Sequence, residues 1–170
     1  MNARLFLALP LLAMAFASCG GDPSDSADSS KSSSSALDGV WTTTEPAGAK
    51  AVLAVKSNAS TGDDVVVIGR VKDFSKTVAA FTLIDSSLKS CRETKGDLCK
   101  TPWDYCCVEP DTVAAATINI EFHDEAGRPH RKTMKGMNEL DHLETVTIAG
   151  KATKDDAGNV RITATQLFKN

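Results

Sequence analysis

The chain has 170 residues, with 19 basic and 22 acidic side chains and a formal net charge of −3. A mildly acidic balance excludes a general electrostatic pull on nucleic acid or anionic membrane surfaces. The aromatic complement is two Trp, one Tyr and six Phe, too sparse to build stacking platforms for single strands, and no nucleic-acid partner is expected.

The N-terminus reads as an export signal over residues 1–18. Met1-Asn2-Ala3-Arg4 supplies one positive charge, and Leu5 to Ala17 is almost entirely apolar. That run falls short of the roughly 20 residues a transmembrane helix needs and suits a signal core. Phe16-Ala17-Ser18-Cys19-Gly20 resembles the bacterial lipobox, with Phe16 where Leu is usual. The resemblance implies that Cys19 takes a diacylglyceryl group and becomes the new N-terminus, anchored to a bacterial membrane and facing the periplasm or the exterior. The competing reading is cleavage after Ala15-Phe16-Ala17, which leaves no anchor. Residues 19–36 are rich in Ser and Asp, with too few apolar groups to offset the entropy of ordering them. They are expected to be a flexible tether.

Residues 37–170 are of single-domain size. Pro46 is predicted to open a helix over residues 46–58, since proline is tolerated in a first turn, and Ala47, Ala51, Ala54 and Val55 fall on one face. Five strands are predicted to follow: Asp64–Val71, Val78–Asp85, Val113–Phe122, Thr145–Thr153 and Val160–Phe168. In the third, Ile118, Ile120 and Phe122 alternate with polar residues and are expected in the core. A short helix is predicted at Asn138–Leu143, and Asp156-Ala157-Gly158-Asn159 is a hairpin turn. Gly69 and Gly150 interrupt β-branched runs, the mark of a bulge or barrel corner. The fold class expected is all-β, β-rich with short helices. Five strands, a helix between the third and fourth, and a bent first strand resemble the OB-fold barrel. A plain β-sandwich is the other architecture this pattern serves.

Residues 86–111, between strands two and three, form a cysteine-rich insert. Cys91, Cys99, Cys106 and Cys107 lie in it, the last two preceded by Thr101-Pro102-Trp103-Asp104-Tyr105. A long loop without regular structure needs something to hold it, and thiols oxidise outside the cytoplasm. With Cys19 lipidated, four cysteines remain. Neighbouring Cα atoms are about 3.8 Å apart, below the usual disulfide range, so Cys106 and Cys107 are expected to bond to Cys91 and Cys99, in either order. The metal alternative is a four-thiolate zinc site, but Cys-x₂₋₄-Cys pairs are absent; His123, His130 and His142 are isolated. A redox dithiol would show Cys-x-x-Cys, also absent, which leaves a strained Cys106–Cys107 bridge as the redox alternative.

The lipobox, serine tether, OB-like strands and Thr101-Pro102-Trp103-Asp104-Tyr105-Cys106-Cys107 motif together resemble a group of uncharacterised bacterial exported lipoproteins. The resemblance implies no activity and carries over no catalytic residue. Asp85, Asp104, Asp124, Glu125 and Asp141 are available carboxylates, but none is paired with a nucleophile at diagnostic spacing, and phosphate loops and dinucleotide fingerprints are absent. Enzyme activity is therefore not expected, nor any cofactor or metal. Arg128, His130, Arg131, Lys132 and Lys135 make the one basic cluster, either a solvated hairpin or a patch for an anion. The expected function is a non-catalytic binding or structural module, partnered with an envelope protein or small ligand. Trp103, Asp104 and Tyr105 are its candidate contacts; the bland alternative puts Trp103 and Tyr105 in a local core. The other functional class is a metal-binding or thiol-redox protein using the four cysteines.

Overall fold

The computed structural model describes residues 37–96 and 98–170. The signal segment, Cys19 and the tether lie outside the described residues. Among the described residues no helix is long and apolar enough to cross a membrane.

Chain order runs β1 (Lys50–Ala51), α1 (Val52–Asn58), β2 (Asp64–Phe74), β3 (Ala80–Ile84), α2 (Pro110–Ala115), β4 (Thr117–Glu121), β5 (Thr145–Lys154) and β6 (Val160–Lys169). The five long strands close a barrel in the order β2-β3-β4-β6-β5, and β5 returns to β2. All pairings around the ring are antiparallel except β4 with β6, which is parallel. This is the OB-fold-like barrel expected, and closure excludes the open sandwich.

Alternation decides which side chains fill it. Ile118, Ile120 and Phe122 are buried from β4 and the residue after it, together with Phe81 and Leu83 from β3 and Val67 and Val71 from β2. Gly150 stands at the register shift between β5 and β6; a Cβ there would lie 2.4 Å from the Thr163 carbonyl oxygen. At Gly69 a Cβ would meet the Ile84 carbonyl at 2.7 Å and Val52 Cγ2 at 2.8 Å, where α1 and β3 crowd β2. The bulge in β2 itself falls at Lys72, between Val71 and Asp73.

Three elements depart from expectation. The first helix begins at Val52, because Gly48 takes a left-handed φ of 81° and Lys50–Ala51 pair with Val67–Ile68. The buried Asp85 carboxylate accepts the Leu53 N–H at 2.9 Å, so the helix start is fixed from across the fold. The expected third strand is split: Pro110–Ala115 is helical, with Pro110 in its first turn, and pairing begins at Thr117. Between β4 and β5 there is a 3₁₀ turn at Met137–Glu139 in place of a helix through Leu143; Asn138, Glu139 and Leu143 all take positive φ, which a helix does not admit.

Candidate functional site

The insert leaves β3 at Asp85 and returns to the barrel through α2. Backbone and side-chain hydrogen bonds order it. Cys91 N–H donates to the Asp104 carbonyl (2.8 Å) and Arg92 N–H to the Pro102 carbonyl (2.7 Å), folding its two halves together. Ser90 and Glu93 close a capping box around the 3₁₀ turn Cys91–Glu93, a Ser-x-x-Glu pattern visible in the sequence. Tyr105, Ile84 and Ala116 form a small second core with Leu88, Val108, Val113 and Leu143 packed on it.

Arg70 of β2 ties this unit to the barrel. Its Nη1 meets Glu93 Oε2 at 2.7 Å, and its Nη2 donates to the Leu88 carbonyl and, at 3.4 Å, to that of Ser86. The Ser90 N–H and hydroxyl donate to the Glu93 carboxylate; with the Arg70 guanidinium they outweigh burial and bring the Glu93 pKa down to about 2. Arg70 also lies 6.0 Å from the Tyr105 ring centroid.

The three candidate contact residues separate. Tyr105 is 2% exposed and sits in the second core, with its hydroxyl buried and unpartnered among the described residues; burial raises its pKa. Trp103 is half-buried and stacks on His142, centroids 4.8 Å apart and planes 19° apart. His142 donates from Nδ1 to the Lys72 carbonyl at 2.6 Å and takes the edge of Phe74. Trp103 thus docks the insert on the barrel. Asp104 keeps 43% side-chain exposure, 3.8 Å from the Lys72 ammonium.

Beside Asp104 a groove of about 510 Å³ runs between the insert and the outer face of β2, β3 and β4. Lys72 and Asp104 stand at one part, Thr82 and Asn119 on the strand face, and Val108 and Val113 on the insert and α2. Cys106 also lines it. Lys72 faces it by alternation with the buried Val71, and the bulge there sets Asp73 opposite Thr82 on the same outer face. Of the expected contacts Asp104 and Tyr105 border it; Lys72, Thr82, Val108, Val113 and Asn119 were not among the sequence candidates.

The four cysteines do converge. Cys106 Sγ lies 3.1 Å from Cys91 Sγ and 3.6 Å from Cys99 Sγ, and the sulfurs of Cys91, Cys106 and Cys107 all lie within 4.8 Å of one another. These separations exceed the bond length of a disulfide, about 2.05 Å. Thr101 hydrogen bonds to the Cys99 sulfur from side chain and backbone and, with Cys106, holds the Cys99 thiol below its ordinary range. At Cys106 the contact with Cys91 favours the thiolate, but Cys99, burial and Cys107 outweigh it and push that thiol up.

Elsewhere the sequence candidates find structural employment. Asp85 caps α1, and the N–H groups of Leu53 and Ser87 outweigh the effect of burial and hold its pKa down. Asp124 accepts from Arg128 in a hairpin, which spends one charge of the basic cluster locally. His123 pairs with Glu121 at 2.7 Å. No protein-family model matches the chain, and no curated protein matches its sequence.

Proposed function

We propose that the chain is an exported, lipid-anchored binding module whose groove takes a small ligand with one apolar and one hydrogen-bonding face. The observation that carries this reading is the groove itself. It lies on the outer face of β2, β3 and β4, with Val108 and Val113 offering apolar contact and Thr82 and Asn119 offering hydrogen bonds. Concave sites of a few hundred Å³ with sparse polar groups are the usual form of small-molecule sites. The barrel supplies one wall and the insert the other. The lipid on Cys19, by the lipobox resemblance, would hold the module at a membrane, since several acyl chains give a stable anchor.

The test has two arms. Cys19→Ala is expected to free the protein from membranes; a processed variant that still sediments with them defeats the anchor. For the groove, isotope-labelled Cys19→Ala protein is titrated with short oligosaccharides and tripeptides. Binding is expected to shift the resonances of Thr82, Val108, Val113 and Asn119, and Val113→Trp is expected to abolish it by filling the space. Ligands that bind the Val113→Trp variant undiminished defeat the groove.

The cysteines support a second reading, a metal-binding or thiol-redox protein. Three sulfurs within 4.8 Å of one another are what favours it. Zinc thiolate bonds of about 2.3 Å set sulfurs about 3.8 Å apart. In an oxidising envelope the same cluster would cross-link Cys106 and Cys107 to Cys91 and Cys99. Thiol counting with and without reductant, alongside metal analysis, separates these outcomes.

A further inference from the structure

The insert gathers its sulfurs round one point. Cys106 Sγ lies 3.1 Å from Cys91 Sγ and 3.6 Å from Cys99 Sγ. Cys91 and Cys99 also meet directly, and Cys107 Sγ stands within 4.8 Å of both Cys91 and Cys106. Two disulfides need only two close pairs, with each sulfur used once. Here Cys91 and Cys106 each meet more than one other sulfur, which is how ligands stand around a common centre. We propose that Cys91, Cys99, Cys106 and Cys107 form a four-thiolate site for zinc(II). This rests on the metal-binding half of the second reading above, and adds to it the ion and the fourth ligand.

Zinc sites usually place two ligands through one Cys-x₂₋₄-Cys loop; this chain brings its sulfurs together through the fold of the insert. The Cys91 N–H donates to the Asp104 carbonyl at 2.8 Å and the Arg92 N–H to the Pro102 carbonyl at 2.7 Å, which sets Cys91 beside the segment leading to Cys106. The Val108 N–H donates back to the Tyr105 carbonyl at 2.9 Å, so Cys106 and Cys107 are the two corner residues of a turn. In a strand neighbouring side chains point to opposite faces; at the corner of a turn they need not, and both sulfurs reach Cys91. Cys99 completes the set, its sulfur 3.3 Å from Thr101 Oγ1 and 3.6 Å from that of Cys106.

Donor chemistry selects the ion. The cluster holds sulfur alone, with no imidazole or carboxylate among its described members. Thiolates select thiophilic ions over magnesium and calcium, and four of them give the tetrahedron that zinc adopts in structural sites. Zinc–sulfur bonds of about 2.3 Å put the sulfurs about 3.8 Å apart. The separations of 3.1 Å, 3.6 Å and up to 4.8 Å bracket that value, so the ion asks the pairs to even out and leaves the path of the insert as it is. Binding releases the thiol protons to solvent, and affinity therefore rises with pH. Cys91 is buried while Cys106 and Cys107 are exposed, so the ion enters from the exposed pair. Four protein ligands leave no open position, and the site is one that holds the insert together.

The test uses the full chain carrying Cys19→Ala, which removes the fifth cysteine. The protein is kept reduced and titrated with zinc chloride, and in parallel with cobalt(II) as an optical reporter. Native mass spectrometry is expected to show one zinc per chain. The cobalt form is expected to show sulfur-to-metal charge-transfer bands and the intense visible bands of a tetrahedral ion. Bound zinc should shield all four thiols from iodoacetamide and slow amide exchange in the insert. Cys91→Ser and Cys106→Ser are expected to lose stoichiometric zinc, and Cys99→Ser and Cys107→Ser to lose the four-sulfur cobalt spectrum. Cys107 is exposed, so its variant keeps the test decisive should a serine at the buried Cys91 disturb the insert; amide exchange of the barrel strands verifies that each variant is folded. The site is overturned if the reduced parent takes up no zinc, or if any of the four thiols is alkylated as fast with zinc as without it. It is overturned too if Cys99→Ser or Cys107→Ser keeps the parent's cobalt spectrum. Disulfides that form in air despite excess zinc remove the zinc site and leave the thiol-redox half of the second reading standing; thiols that neither bind zinc nor oxidise end both. None of these outcomes touches the groove, which the ligand titration reads separately.

Discussion

Arg70 is the residue through which the barrel holds the insert, and Arg70→Met measures that hold. The substitution keeps most of the unbranched stem and deletes the guanidinium. Two contacts of consequence are lost, one to Glu93 and one to the Leu88 carbonyl, since the 3.4 Å contact to Ser86 is long. The Glu93 side chain is 43% exposed, so its half of the pair rehydrates on release, and this interaction counts at the surface scale of about 1 kcal/mol at most. The charged hydrogen bond to Leu88 contributes about 1.5–3 kcal/mol. Against these, Arg70 Nε is buried with no partner among the described residues, a standing cost of about 1–3 kcal/mol that methionine removes. The net loss is about 1 kcal/mol, and it falls on the insert, because Arg70 points away from the buried barrel residues and its own strand keeps its ladder. Native-state amide exchange is the assay. Amides of residues 88–96 and 98–105 are expected to lose protection by about fivefold in the variant, while those of Ile118, Ile120, Ile148 and Ile162 change little. Equal loss of protection in barrel and insert would refute this assignment, as would an insert protected as in the parent.

The remaining predictions concern pH and the core. The Glu93 pKa is depressed to about 2 from an ordinary 4.5, so its contribution to holding the insert is fully present above about pH 4.5 and is lost as pH falls through about 2; Trp103 fluorescence should report the loosening, and Glu93→Gln should remove that transition. Gly150→Ala forces a Cβ to within 2.4 Å of a backbone oxygen and should destabilise the barrel by about 1–3 kcal/mol, seen as a lower urea midpoint at unchanged slope. Phe122→Ala empties a core position of 1% exposure and should cost about 3–5 kcal/mol in the same titration.

The barrel was legible because its signal is local. Alternation at Ile118, Ile120 and Phe122 fixes which face is inward, and a glycine inside a β-branched run marks Gly150 as the place where strands crowd. The helix at Pro110–Ala115 was hidden for the opposite reason. Val113 followed by alanines is apolar enough to extend a neighbouring strand pattern on paper, whereas the chain uses Pro110 to start a turn of helix that lays Val113 on Tyr105. The early start assigned to the first helix failed on Gly48, whose left-handed φ breaks the run that alanine spacing suggests. The groove could not be read from sequence at all. Lys72, Thr82, Asn119 and Val113 come from four separate elements, and Asp73 joins them through a bulge whose position depends on how β2 meets β3. The composition of the insert shows no apolar period and points to cross-links. Its order also draws on a partner 16–23 residues upstream, since the Arg70 fork supplies what a local pattern does not show.

The insert's attachments are distinct in kind, and that difference ties the groove to the sulfurs. Arg70 and Glu93 grip the first half by charge, and Trp103 on His142 grips the second by stacking. Cys91 follows the first half's cap and Cys106 follows the stacked segment, so a bond between them would join two parts already anchored to the same barrel. Such a bond closes a separation of 15 residues, for which loop closure gives about 3 kcal/mol relative to a free unfolded chain. In the folded protein most of that ordering is already achieved by the two grips and the 91–104 backbone pairing, so the native insert moves little when the bond forms. What changes is the side chain of Cys106, which lines the groove. Bonded to Cys91, its sulfur is drawn toward the buried side; bonded to Cys99, toward a half-buried one. The wall of the groove would then record which of the two bonds is present, while the barrel strands that form the opposite wall stay the same.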